Sequence, residues 1–243
     1  MGISEYFINY LKQRDDLSGA DLRRLRRLRT EHAVFAPGEV IVPADRKAHR
    51  SCMMLRGFSA RSHRLVGRPG ERVITALHVP GDFVDLHGFV LAGLEHSIVA
   101  AGPAEVEFVS HDQLTEITES FPHLTRLLWM ATLIDAAIHR QWLVAAASLR
   151  ANAHLAHLLC EIRTRLDIVG AAPGNRFSLP LLQRELADIL GYSPIHVNRA
   201  VRDLRDRGLI RWSGSDVAIL DWDGLSALAC FDPGYLHLER ESR

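Results

Sequence analysis

The chain has 243 residues, enough for two modest domains or one large one. Hydrophobic residues make up 47% and charged residues 24%, a balance that excludes a disordered or fibrous chain. Lys and Arg number 29, as do Asp and Glu, so a polyanionic partner would have to be met by a local basic patch.

Residues 5–30 read as short helices, with Leu17, Leu22, Leu25 and Leu28 on an apolar side and Arg23, Arg24, Arg26, Arg27 and Arg29 around them. A solvated face accounts for that arginine run better than phosphate contact does. Over residues 33–110 the pattern becomes short β-rich runs: Ala33–Ala36, Val40–Val42, Cys52–Leu55, Val73–Val79, Ile98–Ala101 and Ala104–Val109. Turn signals separate them at Pro37-Gly38, Gly57, Pro69-Gly70, Pro80-Gly81 and Gly102-Pro103, which predicts an antiparallel sandwich or barrel.

From Ser110 the pattern is helical. His111–Ser120 is a short helix with Ser110 as N-cap, ended at Phe121-Pro122. In the long helix that follows, Leu124, Leu127, Ala131, Ile134, Ile138, Gln141, Ala145 and Ser148 recur at alternating spacings of three and four, about three and a half heptads of a coiled-coil-like stripe. A buried core helix gives the same spacing. The length and narrowness of the stripe favour a seam between two copies of the chain, made by Leu127, Ala131, Ile134, Ile138, Gln141 and Ala145. A further helix covers about 152–167, and 169–175 is a loop. The expected domains are 1–121, the long helix 122–148, and 149–243.

The most informative stretch is 179–210. Leu182, Leu186, Ile189 and Leu190 form the buried side of one helix. Gly191 can take the positive φ of a C-cap, Ser193 can N-cap the next helix, and Pro194 fits its first position. Val197, Ala200, Val201 and Leu204 then face inward, and Ile195, His196, Asn198, Arg199 and Arg202 face outward. This is helix-turn-helix geometry, and its second helix suits a DNA major groove. Arg can pair with guanine, Asn with adenine, and an apolar side chain can meet a thymine methyl. Between Arg176 and Arg211 seven arginines face four acidic residues, the sign that DNA requires. Leu209–Trp212, a turn at Ser213–Asp216 and Val217–Leu220 read as a hairpin, which makes the unit a winged helix.

With these residues in hand, the chain resembles the Crp–Fnr superfamily of bacterial transcription regulators over almost its whole length. The resemblance rests on Pro80-Gly81-Asp82-Phe83-Val84-Asp85, the long helix, and Glu185…Gly191-Tyr192-Ser193…His196-Val197-Asn198-Arg199. The His-Val-Asn-Arg variant is similar to a subgroup common in α-proteobacteria. The resemblance implies an α+β fold: an N-terminal antiparallel β-roll of the cyclic-nucleotide-binding jelly-roll type, a dimerisation helix, and a C-terminal winged helix-turn-helix reading a palindrome in double-stranded DNA. It implies that Arg199 reads a guanine and that Gln183 meets a phosphate, and it adds Ser193 to the DNA-facing set. Ile195 stands where the family has a DNA-reading Glu, so the operator should differ from that of the cyclic-AMP receptor protein.

An effector pocket is expected around Gly81, Asp82, Asp85, Leu86, His87, Gly88, His96 and Ser97, with His139 and Arg140 from the long helix. The resemblance implies a cyclic-nucleotide cassette, and by matching from Gly81-Asp82 the family's ribose-binding acid falls on Leu86 and its phosphate-binding Arg on His96, with only the following Ser97 kept. A buried phosphate needs a permanent cation, so cyclic-nucleotide binding is disfavoured.

Three separated cysteines (Cys52, Cys160, Cys230) support neither a zinc knuckle nor an iron–sulfur cluster nor a disulfide framework, and they fit a reducing cytoplasm. No metal site is expected from ligand spacing among the 13 histidines, of which His78, His87, His96, His154 and His157 were the candidates. A haem held by one of them stays open, as does a dimerisation module that has lost DNA binding. The motifs of common enzyme classes are absent. The N-terminus lacks a signal-peptide core, and Arg126, Asp135, His139 and Arg140 argue against a membrane span at 124–149. Activation would add RNA polymerase as a partner, but no residue pattern identifies that surface.

Overall fold

The computed structural model describes residues 3–67 and 72–242, so the expected Pro69-Gly70 turn lies outside the described residues. Helices α1 (Glu5–Lys12) and α2 (Gly19–Arg26) begin the chain. Ser18 caps α2 and Asp21 reciprocates, a closed capping box. The arginine run is a surface face whose members pair locally, Arg24 with Glu116 at 2.7 Å and Arg26 with Glu5 at 3.0 Å.

Seven antiparallel strands follow: β1 (Thr30–Phe35), β2 (Val40–Val42), β3 (Arg50–Arg56), β4 (Ser59–Arg64), β5 (Arg72–His78), β6 (Ser97–Ala100) and β7 (Ala104–Ser110). They form two sheets, ordered β1-β7-β3 and β2-β6-β4-β5. Strand β4 was not expected, because Ser59-Ala60-Arg61-Ser62-His63-Arg64 has no apolar alternation. Pairing with β5 on one side and β6 on the other imposes the extended form and buries its first four residues. Gly57 turns the chain into β4 at φ +72°, where a Cβ would lie 2.1 Å from the Pro103 carbonyl oxygen.

Helices α3 (His111–Ser120), α4 (Pro122–Ser148) and α5 (Ala151–Val169) lead to β8 (Arg176–Ser178), α6 (Gln183–Leu190), α7 (Pro194–Asp206), β9 (Ile210–Ser213), β10 (Asp216–Ile219) and α8 (Trp222–Ala229). The wing is a sheet ordered β8-β10-β9. Its third strand, β8, is too short to register in the sequence. Apolar residues of the roll (Phe58, Leu77, Val99), of α5 (Leu159, Ile162) and of the helix-turn-helix (Leu186, Ile189, Val197) share one core cluster, so the C-terminal half is docked on the roll.

The stripe expected to be a dimer seam is instead turned into the chain's own core. Leu127, Ile134, Ile138 and Ala145 are 0%, 2%, 7% and 1% exposed, and Ala131 and Gln141 are partly buried. Leu127, Ile134 and Ile138 pack in one cluster with Phe7, Val169 and Leu236. Alternating spacings of three and four mark an apolar helix face without saying what covers it, and here α1, α5 and the C-terminal segment do.

One polar network crosses this core. Arg165 of α5 donates to Asp82 in the turn after β5 (2.5 Å) and to Glu161 (2.8 Å). Glu161, fully buried, also accepts from the Trp142 indole of α4 (3.2 Å) and the Tyr235 hydroxyl (2.8 Å). Burial opposes the charge on Arg165, but the two carboxylates outweigh it and raise its pKa. Removing one partner from such a group strands the others without water. Arg165→Met is therefore expected to cost about 3–5 kcal/mol of stability in urea unfolding. A loss below about 1 kcal/mol, the level of a solvated surface pair, would contradict this account.

Candidate functional site

The helix-turn-helix is built by local capping. Helix α6 begins with the Leu182 N–H donating to the Glu185 carboxylate at 2.7 Å, half of a capping box, since Leu182 has no side-chain acceptor. Gly191 ends α6 at φ +71°. Ser193 Oγ accepts from the His196 N–H, and Pro194 occupies the first turn of α7. Val197, Ala200 and Leu204 bury the inner side of α7. Asn152 of α5 donates to Asp203 at 2.8 Å, and the Tyr192 hydroxyl donates to the Leu149 carbonyl at 3.1 Å. These bonds tie α7 and the turn to the α4–α5 junction.

The outer side of this unit carries all seven sequence-predicted DNA-facing residues. Gln183, Ser193, Ile195, His196, Asn198, Arg199 and Arg202 are each exposed, Ile195 by 64%. Gln183 Nε2 donates to Asn198 Oδ1 at 2.7 Å, and Ser193 Oγ lies 2.8 Å from His196 Nδ1. The Gln183 bond uses one lone pair of Asn198 Oδ1 and leaves its NH2 group available to an adenine edge. Arg199 and Arg202 form no ion pair among the described residues, so both guanidinium groups are free for DNA.

The expected effector set does not converge on one pocket. Gly81 (φ +92°) sits where a Cβ would lie 2.9 Å from Val169 Cγ1 and 3.2 Å from the Tyr6 carbonyl oxygen, so α1 and α5 close over it. Asp82 is used by Arg165 and by the Val79 N–H. Asp85 is buried and accepts from the Cys52 N–H at 2.6 Å, and Leu86 lies in the apolar cluster of α1 and α4. Gly88 packs on Leu94, and Ser97 Oγ accepts from the Ala44 N–H. His139 lines a groove between β5 and α6, and Arg140 is exposed on the outer side of α4. Among the side chains of this set in the described residues, those of His87 and His96 come together, with ring centroids 5.4 Å apart.

Counting along the chain also missed what cross-strand pairing brings in from β4. Arg61, 6% exposed, pairs with Asp135 of α4 at 2.8 Å, and the His63 ring lies 5.3 Å from His96. His63, Glu95 and His96 place possible ligand atoms together, although no metal cluster was expected from spacing. His154 and His157 are packed core side chains, against Tyr192 and Tyr235 respectively.

The outer face of α4 is apolar and uncovered. Trp129, Leu133 and Leu143 are 65%, 55% and 61% exposed. With Ala136, Arg140 and Ala147 they recur at alternating spacings of four and three, a second seam-like stripe beside the buried one. Among the described residues, no helix is long and apolar enough to cross a membrane.

A winged helix-turn-helix with an open basic recognition face, carried by a β-roll and a long helix, defines a DNA-binding transcription regulator. Residues 153–228 match the Crp-like helix-turn-helix domain family. The transcriptional activator protein FnrA of Stutzerimonas stutzeri is 28% identical over 176 residues, 71% of this chain and 72% of that protein. The nitrogen fixation regulation protein FixK of Rhizobium meliloti is 26% identical over 73% of this chain and 77% of its own length. The structure of FixK2 from Bradyrhizobium japonicum superposes with a TM-score of 0.73 at 23% identity, covering 83% of this chain and 98% of that one. Residues 153–228 thus form a Crp-like helix-turn-helix domain, and about 70% of the chain is similar to transcription regulators of the Fnr and FixK type.

Arg199→Ala should weaken operator binding by about 1–3 kcal/mol per half-site, the worth of a bidentate guanine contact, and leave thermal stability unchanged. Unchanged affinity in a gel-shift titration would remove Arg199 from the readout. Burial pushes the Asp85 carboxyl up to about 7. Because the folded state favours its neutral form, Asp85 makes the fold less stable as pH rises from about 4 through about 7. Asp85→Asn should therefore gain stability relative to the parent protein across that interval, and a pH-independent difference would contradict the assignment.

Proposed function

We propose that the protein binds a palindromic operator as a homodimer formed through the exposed stripe of α4, with the β-roll setting the aim of the two recognition helices. The observation that carries this reading is the pairing of two uncovered surfaces. One is the polar face of α7, whose residue types suit base edges; the other is an apolar heptad stripe long enough for a second copy to run along it. A two-fold axis beside Leu133 and Arg140 would present two α7 helices to successive major-groove segments. Arg140, expected in the effector pocket, would then lie within the dimer contact.

Two contacts support a route for a signal from the roll. Arg61–Asp135 joins β4 to α4, and Asp82–Arg165 joins the β5–β6 turn to α5. A ligand that binds one arrangement of these contacts better than another would shift the helix-turn-helix orientation. Cyclic-nucleotide dependence is not part of this reading. His96, in place of the phosphate-binding Arg, is driven by burial down to about 4 and is neutral at physiological pH, and Arg61 is already committed to Asp135. The place of action is the bacterial cytoplasm, where the DNA is.

Selection of the purified protein on a random duplex pool, with and without cyclic AMP, tests the reading. The expected product is a two-fold palindrome with half-site centres about 10 bp apart, enriched equally in both arms. A non-palindromic site would contradict the dimer, and enrichment only with the nucleotide would contradict the reading of His96. Leu133→Glu, at an exposed position, should give a folded monomer in sedimentation with operator affinity reduced at least about a hundredfold, since one half-site loses its partner. A dimer that persists would show that another face joins the copies.

A further inference from the structure

The β-roll carries a polar cluster, running from exposed Glu95 to buried His96, that DNA recognition does not use. His63 of β4 and the adjacent pair Glu95 and His96, just before β6, each bring one candidate ligand atom within 4.8 Å of the others. His96 is 2% exposed; its Nδ1 lies 3.0 Å from Glu95 Oε1, and its Nε2 has no hydrogen-bond partner. A buried imidazole nitrogen left unpaired is costly, and such groups mark a role beyond packing. The His87 ring lies 5.4 Å from that of His96, beyond the three clustered ligand atoms. The Thr75 hydroxyl, 3.0 Å from His63 Nε2, orients the His63 ring.

We propose that His63, Glu95 and His96 form a binding site for a divalent transition-metal ion of the zinc class, with His87 or a water as the fourth ligand. The donor set carries the choice of metal. Two imidazole nitrogens and one carboxylate oxygen suit zinc and its first-row neighbours. A hard cation such as calcium would want six or more oxygens, and a soft one such as copper(I) would want sulfur. Glu95, with its side chain 70% exposed, gives the ion a path from solvent to the buried His96.

The site also has a mechanical connection. Zinc ligands sit about 2.0–2.2 Å from the metal, so binding would draw the three side chains inward from their present spacing. That pull falls on β4 two residues from Arg61, whose guanidinium holds Asp135 of α4. The metal would thus be the signal read at the roll. Only this last step rests on the regulator reading; the site itself does not.

Untagged, full-length protein stripped with a chelator is titrated with Co2+ alone, a spectroscopic stand-in for zinc, and its binding to the enriched duplex is measured in parallel. One Co2+ per chain is expected, with the intense visible bands of a tetrahedral site, displaced by Zn2+. His63→Gln and Glu95→Gln should each weaken Co2+ binding at least about tenfold, a lower bound set by second-shell losses. His32→Gln, at an exposed position paired with Glu105, should not. Glu95→Gln changes only an exposed carboxylate, so misfolding cannot explain its loss. No tetrahedral spectrum, or Co2+ affinity unchanged from the parent protein in His63→Gln and Glu95→Gln, overturns the site. If duplex binding persists in that case, the regulator reading stands without it. A normal Co2+ titration with no duplex binding supports the site and counts against the regulator reading.

Discussion

The arrangement of the whole molecule depends on one desolvated charge network. Arg165 holds Asp82 and Glu161 in the interior, and Glu161 in turn holds Trp142 and Tyr235. The network joins the β5–β6 turn of the roll, α4, α5 and the segment after α8. An isolated buried charge is strongly unfavourable, so none of these elements can drift away without leaving an unpaired group behind. Apolar contacts alone would let the C-terminal half slide on the roll; directional, charge-assisted bonds define one docking geometry. A stability gain over a hydrophobic substitute does not follow, since desolvation offsets much of the attraction. Positional definition does, and a regulator that aims a recognition helix at DNA needs it.

That constraint explains why Asp82 is not available to an effector. The turn Pro80-Gly81-Asp82 is a joint: Gly81 lets α1 and α5 approach, and Asp82 receives Arg165. Chemistry in the roll is displaced toward β4 and the start of β6, where Arg61, His63, His87 and His96 gather. The roll interior and the recognition helix are therefore connected by two separate polar links, one through α4 and one through α5. In the proposed route, a change at the first would reach α7 through Tyr192 and Asn152, which tie the helix-turn-helix to the α4–α5 junction.

The helix-turn-helix was legible in the sequence because its geometry is local. Gly191, Ser193 and Pro194 determine the turn within a few residues, and the polar face of α7 follows from a 3.6-residue period. The roll was legible as an architecture but not strand by strand. Ser59–Arg64 carries no strand signal of its own and is extended because β5 and β6 flank it. The same long-range pairing brings His63 beside Glu95 and His96, a juxtaposition no spacing along the chain announces. For α4, periodicity identified one apolar stripe but could not say whether the chain itself or a second copy covers it, and the second stripe emerges only from exposure in the fold. Leu127, Ile134 and Ile138 went inward, and Trp129, Leu133 and Leu143 were left outside.

The central claim is that two copies of α7 read one duplex through adjacent major-groove segments. Hydroxyl-radical footprinting on the selected duplex tests it most directly. The account predicts two protected patches related by a two-fold axis, on one face of the helix, with centres about one turn or 10 bp apart. A single protected patch, or protection spread evenly along the duplex, would contradict it.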